Sequence, residues 1–64
     1  MFLKALKLQY ESEIEKAKSN IEVYLNNPVG IGEHPDVMEA MEKEIDCISH
    51  YHDRLEMIEK YIEN

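Results

Sequence analysis

Residues 26–36 read Asn26-Asn27-Pro28-Val29-Gly30-Ile31-Gly32-Glu33-His34-Pro35-Asp36, and they divide the chain into two halves. Pro28 disfavours helical geometry at the residue before it, and the two glycines that follow permit a positive φ. Pro35 has a fixed φ that suits the first position of a new helix, and Asp36 favours the positive end of that helix's dipole. The stretch therefore predicts a loop over residues 27–34 that joins two helices.

Apolar residues recur at helical spacing before this loop. The predicted stripe consists of Leu3, Leu6, Tyr10, Ile14, Ala17, Ile21 and Tyr24. Its period of about 3.5 residues is typical of a helix that packs along a seam. We predict a first helix over about residues 2–26.

A second apolar stripe follows the loop, and we predict a second helix over about residues 35–62. The stripe consists of Val37, Met38, Met41, Ile45, Ile48, His52, Leu55, Ile58 and Ile62, with Tyr51 at its edge. Two helices joined by a short loop lie antiparallel, so residues 1–64 are expected to form a single all-α domain, an antiparallel two-helix hairpin. In this register Ala17 faces Ile45, and His52 faces Tyr10 as a hydrogen-bonded seam residue.

A 64-residue hairpin leaves one side of each stripe open to water, and its stability from burial alone comes near zero. Further apolar residues outside the two stripes widen both faces and predict an interaction surface. These residues are Phe2, Leu8, Leu25, Val29, Ile31, Cys47, Tyr51, Met57 and Tyr61. A homo-oligomer is expected, with a twofold dimer that forms a four-helix bundle favoured over a larger helical oligomer or the capture of a partner helix.

The net charge of -7 is confined to the second half of the chain. Residues 1–32 hold four acidic and four basic side chains, whereas residues 33–64 hold ten acidic and three basic ones. The predicted acidic face consists of Glu39, Glu42, Asp46, Asp53, Glu56 and Glu63. This balance argues against direct binding of nucleic acid, and it raises the alternative of an acidic inhibitor that imitates nucleic acid toward a basic host protein.

Cys47, His50, His52 and Asp46 are residue types that bind zinc, but their spacing does not favour a metal site. Cys47 and His50 could share one helix face, while His52 points elsewhere and His34 lies in the loop. Closing a tetrahedral site would require symmetry-related chains, so a metal site across an oligomer interface stays open as an alternative. Cys47 is surrounded by acidic residues, which is the wrong environment for a nucleophile. We expect no enzymatic activity and no cofactor.

The stretch IEVYLNNPVGIGEHPD, within a resemblance that covers about residues 14–60, resembles a segment of small uncharacterised proteins of tailed bacteriophages. In those proteins a similar loop joins two amphipathic helices. The resemblance implies a phage accessory protein that acts inside the infected bacterium or in the virion, and it transfers no functional residue.

Two lysines interrupt the apolar opening of the chain before a signal-peptide core could form, and no apolar run approaches ~18 residues. We therefore expect a protein of the host cytoplasm, with Cys47 reduced and no membrane association. A place in the virion stays open. The predicted function is non-enzymatic: protein–protein interaction through self-association and through an unknown host or phage partner.

Overall fold

A computed structural model describes residues 1–26 and 36–63 of the chain. Helix α1 spans Phe2–Leu25 and helix α2 spans Asp36–Tyr61. The predicted loop, including Val29, Ile31 and the helix start at Pro35, lies outside the described residues. No strand occurs in the part of the chain that the structure describes.

The two helices pack against each other, which confirms the all-helical hairpin. The ring of Tyr10 lies on the ring of Tyr51, with 5.5 Å between their centroids. Because the helices run in opposite directions, seven-residue steps from this pair place Leu3 opposite Ile58 and Ala17 opposite Glu44. One aromatic contact thus fixes the register of the hairpin.

The residues between the helices follow alternating steps of four and three residues, which is the heptad spacing of coiled coils. We call these residues the seam, and each of them is buried or half-buried. The seam consists of Leu3, Lys7, Tyr10, Ile14, Ala17, Ile21 and Tyr24 on α1, and of Val37, Met41, Glu44, Ile48, Tyr51, Leu55 and Ile58 on α2. Among the described residues only Ala17, at 1% exposure, and Ile58, at 7%, are fully buried.

The prediction that Met38, Ile45 and His52 belong to the seam is wrong, because all three are exposed. Their preceding neighbours Val37, Glu44 and Tyr51 take these places. The apolar face of α2 is wide enough that either of two neighbouring lines of residues could face α1. Small side chains at Ala40 and Cys47 let α1 approach on one side. This approach rotates the larger Ile45 outward.

Two further seam predictions are also wrong. Leu6 is exposed, and Lys7 occupies its expected place with its ammonium group bonded to Glu63. Ile62 is exposed because α2 ends at Tyr61 and the chain turns there, with the Ile62 and Glu63 amides both donating to the Ile58 carbonyl.

The two long edges of the hairpin are covered unequally. On one edge, the residues just before Ile14, Ile21, Met41 and Ile48 are half-buried, and we call these the closed flank: Glu13, Asn20, Ala40 and Cys47. Leu6 and Arg54, toward the terminal end of the same edge, are exposed. The other edge is formed by the residues that directly follow Tyr10, Tyr51 and the seam residues at seven-residue steps from them. Every one of these residues is exposed. We call these eight residues the open flank: Lys4, Glu11, Lys18 and Leu25 on α1, and Met38, Ile45, His52 and Glu59 on α2.

The hairpin is elongated, with dimensions of 47 × 16 × 12 Å and a radius of gyration of 14.8 Å. A compact domain of this length has a radius of gyration of about 11 Å. The accessible surface is 5257 Å². A compact monomer of 7.6 kDa exposes about 4,300 Å², so the chain carries roughly 1,000 Å² more than compactness would leave.

Ala17→Leu tests the close approach of the helices. The fully buried methyl group at Ala17 leaves no room for a larger side chain, so we expect A17L to lower the free energy of unfolding by about 1–3 kcal/mol. Ser19→Leu is the matched control, because Ser19 lies on the same helix with an exposed side chain. Urea denaturation followed by circular dichroism at one protein concentration measures both, and equal stability of the two variants would contradict the assigned seam.

Candidate interaction surface

The structure leaves much apolar surface uncovered. Eleven large apolar side chains among the described residues are exposed: Met1, Phe2, Leu6, Leu8, Val23, Leu25, Met38, Ile45, Met57, Tyr61 and Ile62. Five of the predicted interaction residues, Phe2, Leu8, Leu25, Met57 and Tyr61, are in this set. The sequence reasoning missed Met38 and Ile45 as exposed residues because it placed both in the seam.

The other predicted interaction residues are placed differently. Tyr51 is half-buried in the seam, where its ring contacts Tyr10, and Cys47 is a half-buried free thiol on the closed flank. Val29 and Ile31 lie outside the described residues. Most of the uncovered apolar surface is therefore contributed by α1 near its ends and by α2 near both of its ends.

An arginine lies over the aromatic pair of the seam. The guanidinium carbon of Arg54 is 5.3 Å from the ring centroids of both Tyr10 and Tyr51. The ring of His50 meets Tyr51 edge-on, with 5.3 Å between centroids. A cation over two rings adds a stabilising contact of about 0.5–1 kcal/mol at an exposed position. The spacing of Tyr51 and Arg54, three residues apart on one helix, is the signal that could have revealed this cluster.

His52 does not bond Tyr10 as predicted. Its side chain is 66% exposed, and its Nε2 lies 3.5 Å from Oε1 of Glu56, one turn along the same helix. The physical reason is the rotation of α2 described above, which brings Tyr51 to the ring of Tyr10 and turns His52 onto the open flank.

The six predicted acidic residues are all exposed, and five of them lie on α2. Their steps of three, four or seven residues place them on one stripe of the helix surface, away from the seam. We call this set, Glu39, Glu42, Asp46, Asp53, Glu56 and Glu63, the acidic stripe. From Glu39 to Glu56 it extends for about 25 Å at 1.5 Å per residue.

A polar contact crosses the seam beside Ala17. The side-chain amide of Asn20 donates a hydrogen bond to Oε2 of Glu44 over 2.8 Å, in a part-buried position. Glu44 lies on the seam itself, so its methylene groups pack between the helices while its carboxylate reaches the closed flank. A hydrogen bond to a charged acceptor in this position favours one register over its neighbours.

Lys7 and Glu63 close the end of the hairpin where the chain begins and ends. The ammonium group of Lys7 donates to both carboxylate oxygens of Glu63, at 3.0 and 2.8 Å. This hydrogen bond raises the pKa of Lys7 above its ordinary value, and the nearby charges of Glu63, Glu11 and Glu59 act in the same direction against a smaller opposing effect of burial. One member of the acidic stripe is thus engaged within the chain.

The residues of the metal hypothesis do not come together in the structure. Within residues 1–26 and 36–63, no three histidine, cysteine or acidic side chains are placed to hold a metal ion. His34 lies outside the described residues. A shallow depression on α2 is lined by Glu56, Met57, Glu59 and Lys60, all from one helix, so it does not lie between the two helices. Neither described helix has the length and hydropathy needed to cross a membrane.

Comparison with known proteins adds no relative. No family model matches the chain, and no curated protein or solved structure shows a significant match.

Glu63→Gln tests the contact that closes the hairpin. Because the folded-state pKa of Lys7 is raised, the stabilisation is fully present below the unfolded pKa of about 10.4 and is lost as the pH rises through the folded value. We therefore expect E63Q to be less stable than the original sequence from about pH 7 to pH 10, with the difference shrinking above that range.

Glu42→Gln is the control, because it removes the same charge from an exposed position for which no ion pair is found among the described residues. Thermal unfolding at a series of pH values measures both variants. A difference in thermal stability between E63Q and the original sequence that stays constant through about pH 11.5 would contradict the assigned Lys7–Glu63 contact.

Proposed function

We propose that this protein is a non-enzymatic interaction protein that self-associates through its uncovered apolar surface and presents its acidic stripe to another protein. The loop resemblance favours a phage accessory role, with a host or phage protein as the second partner. The protein would act in the host cytoplasm or as part of the virion.

The observation that carries this proposal is the small number of buried side chains. Only Ala17 and Ile58 are buried among the described residues, while eleven large apolar side chains are exposed. Exposed apolar patches on small proteins commonly mark interaction sites, and we infer that part of this exposed surface serves as one. The excess surface of roughly 1,000 Å² is also close to the ~800 Å² that each partner contributes to an interface of standard size.

The distribution of charge supports separate surfaces for the two kinds of partner. On α2 the acidic stripe lies away from the seam, so a copy that covers the seam leaves the carboxylates from Glu39 to Glu56 exposed. The only arginine in the chain, Arg54, is held over two rings and does not neutralise the stripe. A basic protein surface would be attracted to this stripe at a rate that falls as salt is added.

Self-association is tested by measuring mass and stability against concentration. We expect sedimentation equilibrium to give about twice the chain mass of 7.6 kDa, and the unfolding midpoint to rise with protein concentration. Both follow because only two side chains are buried among the described residues, so a second copy would add burial that the single hairpin lacks. A mass of 7.6 kDa at all concentrations, together with a midpoint independent of concentration, would overturn the proposal.

The alternative is an acidic inhibitor that imitates nucleic acid, and the continuity of the acidic stripe favours it. The experiment compares the affinity of an Asp46→Asn/Asp53→Asn variant with that of a Lys16→Gln control, using a basic host nucleic-acid-binding protein at low and high salt. Loss of affinity in the first variant and with added salt supports mimicry. Affinity unchanged by salt and by the double substitution would exclude it.

A further inference from the structure

We infer that the open flank receives a second copy of this chain, with the twofold axis parallel to the helices, so that α1 of each copy packs against α2 of the other. This inference rests on the proposed self-association and specifies its surface, geometry and register. The product is a four-helix bundle in which every helix has two antiparallel neighbours.

The unequal flanks supply the first argument. In a bundle of four antiparallel helices, each helix contacts one neighbour through the residues before its seam positions and the other through the residues after them. Within one chain the closed flank is already half-buried, including Asn20 and Cys47, whereas the whole open flank is exposed. Most seam residues are only half-buried within one chain, so a copy placed over the open flank would increase the burial of both.

The second argument is register. An axis parallel to the helices keeps every residue at its own height, and Tyr10 opposite Tyr51 fixes those heights. Each open-flank residue of α1 then lies within about 3 Å along the axis of one on α2 of the other copy. The resulting pairs are Leu25 with Met38, Lys18 with Ile45, Glu11 with His52, and Lys4 with Glu59.

These pairs are chemically complementary. Leu25 meets Met38 at the loop end, and the opposite charges of Lys4 and Glu59 meet at the other end. The methylene groups of Lys18 can cover Ile45 while its ammonium group stays in water. No pair brings two like charges together, which is the arrangement that favours one register and one partner.

Charge also selects this axis over the other twofold arrangement. An axis perpendicular to the helices would place α2 beside α2, and α2 carries eight acidic and three basic residues. It would also set Met38 beside Glu59. The parallel axis instead places α2 beside α1, which has four acidic and four basic residues and no net charge. Repulsion between two acidic helices is therefore reduced.

The accessible surface area of the chain is consistent with a second copy as the occupant of the open flank. A dimer of standard size covers about 800 Å² on each partner, and the chain exposes roughly 1,000 Å² more than a compact monomer of its mass.

The first test places a charge on the open flank. We expect Ile45→Glu to raise the dimer dissociation constant by about a hundredfold or more, because each dimer loses two apolar contacts and gains two charges. Val23→Glu is the matched control, since Val23 is 61% exposed and Ile45 53%, and Val23 lies away from both flanks. Sedimentation velocity over a concentration series measures both variants.

The second test measures which residues of the two copies face each other. Its expected result is a recovery of affinity, which a variant that fails to fold cannot produce. At low salt, Lys4→Glu or Glu59→Lys should each weaken its own homodimer by about tenfold, and an equimolar mixture of the two variants should recover the affinity as a heterodimer, because opposite charges then meet at positions 4 and 59 of different copies. Within one chain positions 4 and 59 carry like charges in both variants, and under the perpendicular axis these positions of different copies do not meet, so in either case the mixture would show no recovery.

The outcomes separate the two levels of the proposal. A dimer that I45E leaves intact, or single variants without recovery in their mixture, would overturn the open-flank geometry while self-association stands. A chain that is monomeric at every concentration would overturn self-association and the geometry together.

Discussion

Two helices cannot enclose a core, and this geometric constraint decides the properties of the molecule. Each seam side chain contacts the facing helix on one side and remains open on another, so most of the seam is only half-buried. Among the described residues, the two fully buried side chains are Ala17 and Ile58, and both belong to the seam. Burial of apolar area is the main favourable term in folding, so a single hairpin of this size gains little stability from its own burial.

Polar side chains in the seam determine which alignment the helices adopt. Apolar contacts are not directional, and a wide stripe such as that of α2 can meet its partner in more than one rotation. The Asn20–Glu44 hydrogen bond and the Tyr10–Tyr51 ring contact both require one register. Polar groups within a helical seam commonly exchange some stability for such specificity. In this register Ile45 and Met38 are exposed.

The sequence was sufficient to predict the hairpin, because Pro28 and the nearby glycines interrupt two long periodic stretches. It was not sufficient to predict which side of α2 faces α1. The line of residues through Ile45 and His52 has the same helical spacing as the line through Glu44 and Tyr51. Which line faces α1 depends on the small residues Ala40 and Cys47. Their effect on how closely the helices approach depends on both helices, so it cannot be predicted from the sequence of α2 alone. Lys7 was missed for a related reason, since its partner Glu63 lies at the other end of the chain. Hydropathy alone assigns such residues to the surface.

The contact between Lys7 and Glu63 joins residues separated by nearly the whole length of the chain. Chain closure becomes slowly less favourable as the intervening segment lengthens, so contacts beside the reversal form at lower entropic cost than this one. This entropic cost favours assembly of the hairpin from the reversal toward the termini, with the Lys7–Glu63 contact among the last to form. By the same reasoning, we expect local opening of the native hairpin to begin at this end.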